Sequence, residues 1–281
     1  MKKLYLDYNI ISYLRAESNP DLKEAYDKAS ISHTTVFSPA HLEDIAVSEM
    51  RDKTDISIVK SEIAFLSEIA KRNALRPVTR NNVVLYDESP DDCYARVKAH
   101  YDNNDYAEAI DAAVIKDAHQ NPAGHPREAN NIPPDQILNH ISYRELISLS
   151  LLKMQLISKS EIRNSLFWTF SDIKNRFSVF ETHVNMAANF LEKLGYYREP
   201  ESKSRSRLHD VSHIIYAAYC DTFVSSDNKI LKKAAAIYSM LQVPTKILSL
   251  NEFISTYKPQ DNSAARRIDN GATLSTDTNG G

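Results

Sequence analysis

The sequence predicts an α/β protein: a mostly parallel, twisted sheet flanked by helices, with a mainly helical block inserted into it. Three observations carry this expectation. Short apolar or β-branched runs near both ends of the chain are each followed by a helix-like stretch. Apolar residues recur at helical spacing through the middle, from 52 to 206. Acids stand just after the strand-like runs or near the helices that follow them.

Residues 3–6 (KLYL) are apolar on both faces, as a buried parallel strand requires. Helices are expected near 10–16 and 21–29, and a second strand at 34–37 (TTVF) from its β-branched and aromatic content. Ser38-Pro39 then opens a helix, because serine caps well and proline fits the first helical position. Within 52–206, helical patterns occupy 56–70, 91–101, 106–119, 134–156 and 160–194, a strand is plausible at 83–86, and the proline-rich stretch 121–134 reads as a loop. From 208 onward the pattern is helix 211–220, strand 222–225, helix 228–239, strand 245–248 and a short helix 251–256. The organisation expected is a core in two parts, 1–51 and 207–257, around a helical insertion or cap at 52–206. A polar tail at 258–281 is expected to be disordered.

Composition narrows the function. Hydrophobic residues make up 42% and charged residues 25% of 281 residues, which fits a globular chain, and no apolar run reaches the roughly 20 residues of a membrane span. The N-terminus meets Asp7 too early for a signal peptide, so a cytoplasmic protein without a membrane partner is expected. Cys93 and Cys220 read as buried, reduced thiols. A net charge of −3 shows no global attraction to nucleic acid. There are five glycines, three of them at 271, 280 and 281, so the body of the chain has no glycine-rich phosphate cradle.

The chemistry-bearing pattern is acidic. In a parallel α/β sheet the C-terminal end of a strand and the start of the next helix lie at one edge, where ligands bind. Asp7 ends the first strand, Glu43 lies about one turn inside the second helix region, Asp210 starts the helix before strand 222–225, and Asp227 follows that strand. Asp221, eleven residues past Asp210, belongs about 16 Å away at the opposite edge. Asp44, about 100° around the helix from Glu43, is expected to point elsewhere. Four converging carboxylates repel unless a cation joins them, and all-oxygen donors favour Mg²⁺ or Mn²⁺. Such ions activate water and stabilise the leaving oxygen of a phosphodiester, so hydrolysis of a nucleic-acid backbone is the expected activity.

Leu6-Asp7-Tyr8-Asn9, the Ser38 to Glu43 segment SPAHLE, Asp210 to Ala218 (DVSHIIYAA) and Phe223 to Asp227 (FVSSD) resemble, in that order, the motifs of PIN-domain nucleases. The resemblance covers about 1–51 and 207–256 and leaves the middle block without a counterpart. It implies a PIN-like sheet and Mg²⁺- or Mn²⁺-dependent cleavage of single-stranded RNA, as in toxin ribonucleases of toxin–antitoxin pairs. It implies a metal set of Asp7, Glu43, Asp210 and Asp227, with Ser225 orienting a ligand or water and Asn9 positioning Asp7 or the phosphate. An antitoxin or other regulatory protein and a homodimer are the partners it suggests. Two other readings stay open: a silent PIN-like module that holds RNA or protein, and a PIN-like nuclease acting on DNA.

Lys203, Arg205 and Arg207, just upstream of Asp210, and Lys229, just after Asp227, are candidates for holding phosphates, against solvated charge as the plain alternative. His41, His209 and His213 flank the acids. One could donate a proton, though packing or surface histidines are the ordinary reading. Trp168 is expected in the core or an interface of the insertion.

Overall fold

Strand β1 (Lys2–Leu6) lies at the centre of a four-stranded sheet of order β2–β1–β5–β6, with β2 at His33–Val36, β5 at Thr222–Ser225 and β6 at Lys246–Ser249. All three pairings are parallel, with Leu4 opposite Thr35 on one side and Leu6 opposite Val224 on the other. The structure is a computed structural model that describes residues 1–50, 52–79, 81–100, 104–200 and 204–258; for 104–108 and 204–206 only the backbone course is described. Lys203 and the tail expected at 258–281, apart from Lys258, lie outside the described residues. The architecture is mixed α/β, a parallel sheet flanked by helices.

Successive residues of the central strands point to opposite faces, and this alternation splits the core in two. Tyr5, Val36 and Phe223 belong to one apolar cluster; Leu4, Leu6, Phe37 and Val224 belong to the other. Helices α1 (Tyr8–Arg15), α2 (Pro20–Ser30) and α4 (Ile56–Ala70) cover the second face. Helices α12 (Phe177–Leu194), α13 (Ser204–Ala217) and α14 (Asn228–Leu241) cover the first.

The block expected as an insertion or cap therefore builds the main core. Val59, Ile63 and Leu66 of α4 pack with Leu4 and Leu6, and Phe180, Val184 and Leu191 of α12 share the cluster of Tyr5 and Phe223. It is mainly helical, and the strand expected at 83–86 is present. Strands β3 (Asn73–Val78) and β4 (Asn82–Asp87) form an antiparallel hairpin, and β3 adjoins the sheet by a single parallel bridge between Phe37 and Ala74. The remaining long helices here are α5 (Pro90–Ala99), α6 (Asn104–Gln120) and α9 (Ile141–Lys153). The long helical patterns at 134–156 and 160–194 break into shorter pieces. Asp172 accepts hydrogen bonds from the Thr169 N–H and hydroxyl and so opens a separate short helix there.

Thrift with glycine has a structural counterpart. Gly195 ends α12 in the left-handed conformation at φ +82°, and a Cβ there would lie 3.0–3.1 Å from Pro126. A Cβ on Gly124 would lie 2.5 Å from the Leu194 carbonyl oxygen. Both residues allow the 121–126 loop to lie against the end of α12. Gly195→Ala should cost about 1–2 kcal/mol from the backbone alone, read as a lower urea midpoint with unchanged slope; an unchanged midpoint would show that this seam does not need glycine.

Candidate functional site

Parallel strands bring the starts of α1, α3 (Pro39–Met50), α14 and α15 (Leu250–Tyr257) to the carboxyl edge of the sheet. Asp7 caps α1: its Oδ1 accepts from the Tyr8 N–H at 2.8 Å. Asp227 caps α14 and accepts from the Lys229 N–H at 2.7 Å. Ser225 links the two. Its hydroxyl donates to Asp7 Oδ2 at 2.7 Å and accepts the Asp227 N–H at 3.0 Å. Asp221 lies at the other end of β5, where its Oδ2 accepts from the Lys3 N–H at 2.7 Å, as the strand direction requires.

Asp210 joins Asp7 and Asp227, but not as a helix start. α13 begins at Ser204, which leaves Asp210 inside the helix. Burial, with the neighbouring Asp7 carboxylate, pushes the Asp210 carboxyl up to about 8; Asp227 and Glu199 add to this, and Lys233 opposes it. Asp7 is 5% exposed. Burial raises its carboxyl too, against the lowering effects of His213 and the Ser225 hydrogen bond, while Asp44 raises it further.

The acid that α3 contributes differs from expectation. Asp44, not Glu43, is turned toward Asp7. His213 Nε2 donates to Asp44 Oδ2 at 2.9 Å and lies 3.9 Å from Asp7 Oδ1. The cause is helical spacing. His41 is anchored beneath the sheet edge, its Nε2–H donating to the Leu6 carbonyl at 2.8 Å, and Asp44 stands three residues on, on the same side of the helix. Glu43 faces α12 and α13, where it lies 3.8 Å from His209 Nδ1, an ion-pair distance rather than a hydrogen bond. Burial, and then the Glu43 charge, raise the Glu181 carboxyl of α12.

His213, which the sequence places beside the acids but reads as an ordinary packing or surface histidine, lies between Asp44 and Asp7. It is 2% exposed. Burial disfavours its charge, yet the Asp44 hydrogen bond and the Asp44, Asp7 and Asp210 carboxylates lift it to about 9. Its Nδ1 lies 2.8 Å from the Tyr5 hydroxyl, which lies 2.7 Å from Ser38 Oγ. A charged ring donates at both nitrogens, so Nδ1–H donates to Tyr5, whose hydroxyl then donates to Ser38. His41 stays neutral: burial, and then the nearby His213, push it down to about 3. The available signal was the spacing of Asp210 and His213, three apart on one helix face.

The proposed phosphate-holding residues divide. Arg207 is 3% exposed and bound by Asp111 of α6 and Asn189 of α12, with Glu192 Oε1 3.5 Å from its Nε. It is a structural cation locked between three helices, and no phosphate can reach it. Lys229 is half-exposed and pairs with Glu199 Oε2 at 3.0 Å. The Arg205 side chain is not among those described. Lys233, also 3% exposed, holds Glu192 Oε1 at 2.6 Å and Glu199 Oε1 at 3.1 Å. Asn9 is exposed in the first turn of α1, and the Tyr8 N–H rather than Asn9 orients Asp7. Cys93 and Cys220 are buried free thiols. Trp168 is half-buried, with the Arg176 guanidinium 5.0 Å above its ring.

No family model matches the sequence, no curated protein matches it, and no solved structure matches the fold. Among the described residues, no three His, Cys, Asp or Glu side chains stand together closely enough to hold a metal ion, and no helix is long and apolar enough to cross a membrane.

Two titrations follow. The raised Asp210 carboxyl costs stability as pH climbs from its ordinary 3.8 toward about 8, because the unfolded chain ionises first. Asp210→Asn should therefore stabilise chelator-treated protein at pH 7 by at least about 1 kcal/mol, a rise of about 2–4 °C in Tm; a fall in Tm would contradict an acidic cluster short of cations. His213 works in the opposite sense. Its stabilisation is complete below the unfolded value near 6.5 and is lost as pH rises through about 9. In Asp44→Asn the His213 imidazole should titrate at least one pH unit lower by NMR, and an unmoved titration would detach it from Asp44.

Proposed function

We propose that the protein is a divalent-metal-dependent phosphodiester hydrolase acting on single-stranded RNA at the carboxyl edge of its sheet. The observation that carries this reading is the Ser225 hydroxyl tying Asp7 and Asp227 together at one edge, where burial and the Asp7 charge also push the Asp210 carboxyl up. A buried site that makes its own carboxylate hard to ionise is suited to a cation. The donors are all oxygen, which suits Mg²⁺ or Mn²⁺. Asp7, Asp210 and Asp227 are the residues that would hold the ion, and they would have to draw together around it, since among the described residues no three such side chains stand closely enough as placed. When bound, such an ion supplies an activated water and charge neutralisation at the scissile phosphate. Glu43 is left out of this set, because Asp44 rather than Glu43 is the α3 charge that bears on Asp7.

The chain's own groups supply the rest. Ser225 fixes the Asp7 carboxylate through Oδ2. His213, charged and held by Asp44, sets the field at Asp7 Oδ1 from 3.9 Å away. At neutral pH Asp210 carries a proton that must leave before it can act as a ligand, so loading the site releases acid. PIN-type nucleases are the family whose motif order the sequence resembles, and an antitoxin-like regulator or a homodimer belongs to the same reading.

A second reading has its own support. His213 already neutralises Asp7 and Asp44 from inside, and no ready-made ligand triad stands among the described residues. That favours a silent module holding RNA or protein.

Calorimetry with Mn²⁺ and a cleavage assay separate the two readings. Purified protein should bind Mn²⁺ at millimolar or tighter affinity and degrade labelled single-stranded RNA faster than the matched DNA. Asp7→Asn should lower the rate at least about 100-fold with unchanged circular dichroism, the scale of losing an electrostatic catalytic group. Equal rates in wild type and Asp7→Asn would sink the hydrolase reading.

A further inference from the structure

Beside the acid edge lies a cleft of about 400 Å³, walled by His119, Pro126, Asn130, Tyr197, Pro200 and Lys229. Lys229 stands two residues past Asp227, whose Oδ1 accepts its N–H at 2.7 Å. The other walls all come from the middle block. We infer that this cleft is a subsite for one nucleotide of a single-stranded RNA running out of the acid site, with its base on Tyr197 and its phosphate on Lys229.

The cleft is built rather than incidental. Gly124 and Gly195 are the only glycines among residues 1–258, and both serve the seam where Pro126 meets the end of α12. Tyr197 holds a left-handed backbone at φ +45°, strained for a tyrosine, with its N–H donating to Asn130 Oδ1 at 2.6 Å. Tyr196 braces its ring edge-on, with centroids 4.9 Å apart.

Its chemistry matches a nucleotide. A half-buried tyrosine that lines the cleft together with Pro126 and Pro200 offers a flat apolar platform for a base. Asn130 spends its carbonyl on Tyr197, which leaves its amide N–H groups to donate to a base edge. Lys229 spends two of its three donors, on Glu199 Oε2 at 3.0 Å and the Arg198 carbonyl at 3.2 Å, and keeps one for a phosphate oxygen. Glu199 does not repel that phosphate strongly, since its two oxygens are paired with Lys229 and Lys233. His119 Nε2 donates to the Glu199 carbonyl at 2.8 Å, which fixes the ring at the wall of the cleft.

The choice of ligand rests on the hydrolase reading, while the experiment is independent of turnover. Fluorescence anisotropy would follow a short fluorescein-labelled oligouridylate binding to the full chain in EDTA. Tyr197→Ala should bind about tenfold more weakly and Tyr197→Phe like wild type, as stacking predicts. A 4-thiouridine oligonucleotide photo-crosslinked to the unaltered protein should label the Tyr197 or His119 peptide, whatever the variants do to folding. Equal affinity of Tyr197→Ala and wild type, no binding by wild type, or crosslinks mapped elsewhere would each overturn the subsite. RNA cut in an Asp7-dependent way but insensitive to Tyr197→Ala would remove the subsite and leave the hydrolase. RNA held in the cleft but uncut with Mn²⁺ would keep the subsite and remove the hydrolase.

Discussion

One serine hydroxyl sets the geometry of the acid edge. Ser225 donates to Asp7 at the end of β1 and accepts from the N–H of Asp227 at the start of α14, so two separate strand ends are joined through a single oxygen. Both acids also cap the helix that follows them, which satisfies N–H groups that a helix start otherwise leaves open. The arrangement works only because β1 and β5 are adjacent and parallel, with Leu6 level with Val224. Any other strand order would bring these caps to different places.

Charge is then apportioned on either side of that link. His213 sits between Asp44 and Asp7. Lys233 approaches from α14 and lowers the Asp210 carboxyl, but it is held at close range by Glu192 and Glu199. The Asp210 carboxyl stays raised all the same. The middle block decides this outcome, since it supplies Glu192 and Glu199 to Lys233, and Asp111 to Arg207. Buried ion pairs of this kind contribute little net stability, because desolvation offsets much of the attraction. Their effect here is to hold α6, α12, α13 and α14 in one arrangement around the site.

Much of this was legible in the sequence where local signals and geometry agree. The helix over Ile56–Ala70 and the strand over Thr222–Ser225 have the limits that periodicity and β-branching indicate. Asp7, Asp227 and Asp221 fall at the edges that strand direction assigns. What was missed depends on tertiary contacts. The start of α13 moved upstream of Asp210 because Arg207, which looks like linker charge, is buried among Asp111, Asn189 and Glu192. Asp44 replaced Glu43 because the facing side of α3 is set by the bond from His41 to the Leu6 carbonyl, which neighbouring letters do not reveal. Strand β3 carries Pro77 and little alternation, and is recognisable only beside Phe37 and β4. The sequence also did not show that helices of the 52–206 block pack into the core with Tyr5 and Phe223, because that block carries no motif.

The bond from Ser225 to Asp7 joins residues 218 positions apart. During synthesis β1 and β2 are complete long before β5 leaves the ribosome, and β1 then still lacks its neighbour on the other side. A nascent chain therefore carries Asp7 without the strand that orients it until β5 has been made, and any chemistry that needs Asp7 held by Ser225 waits for that strand.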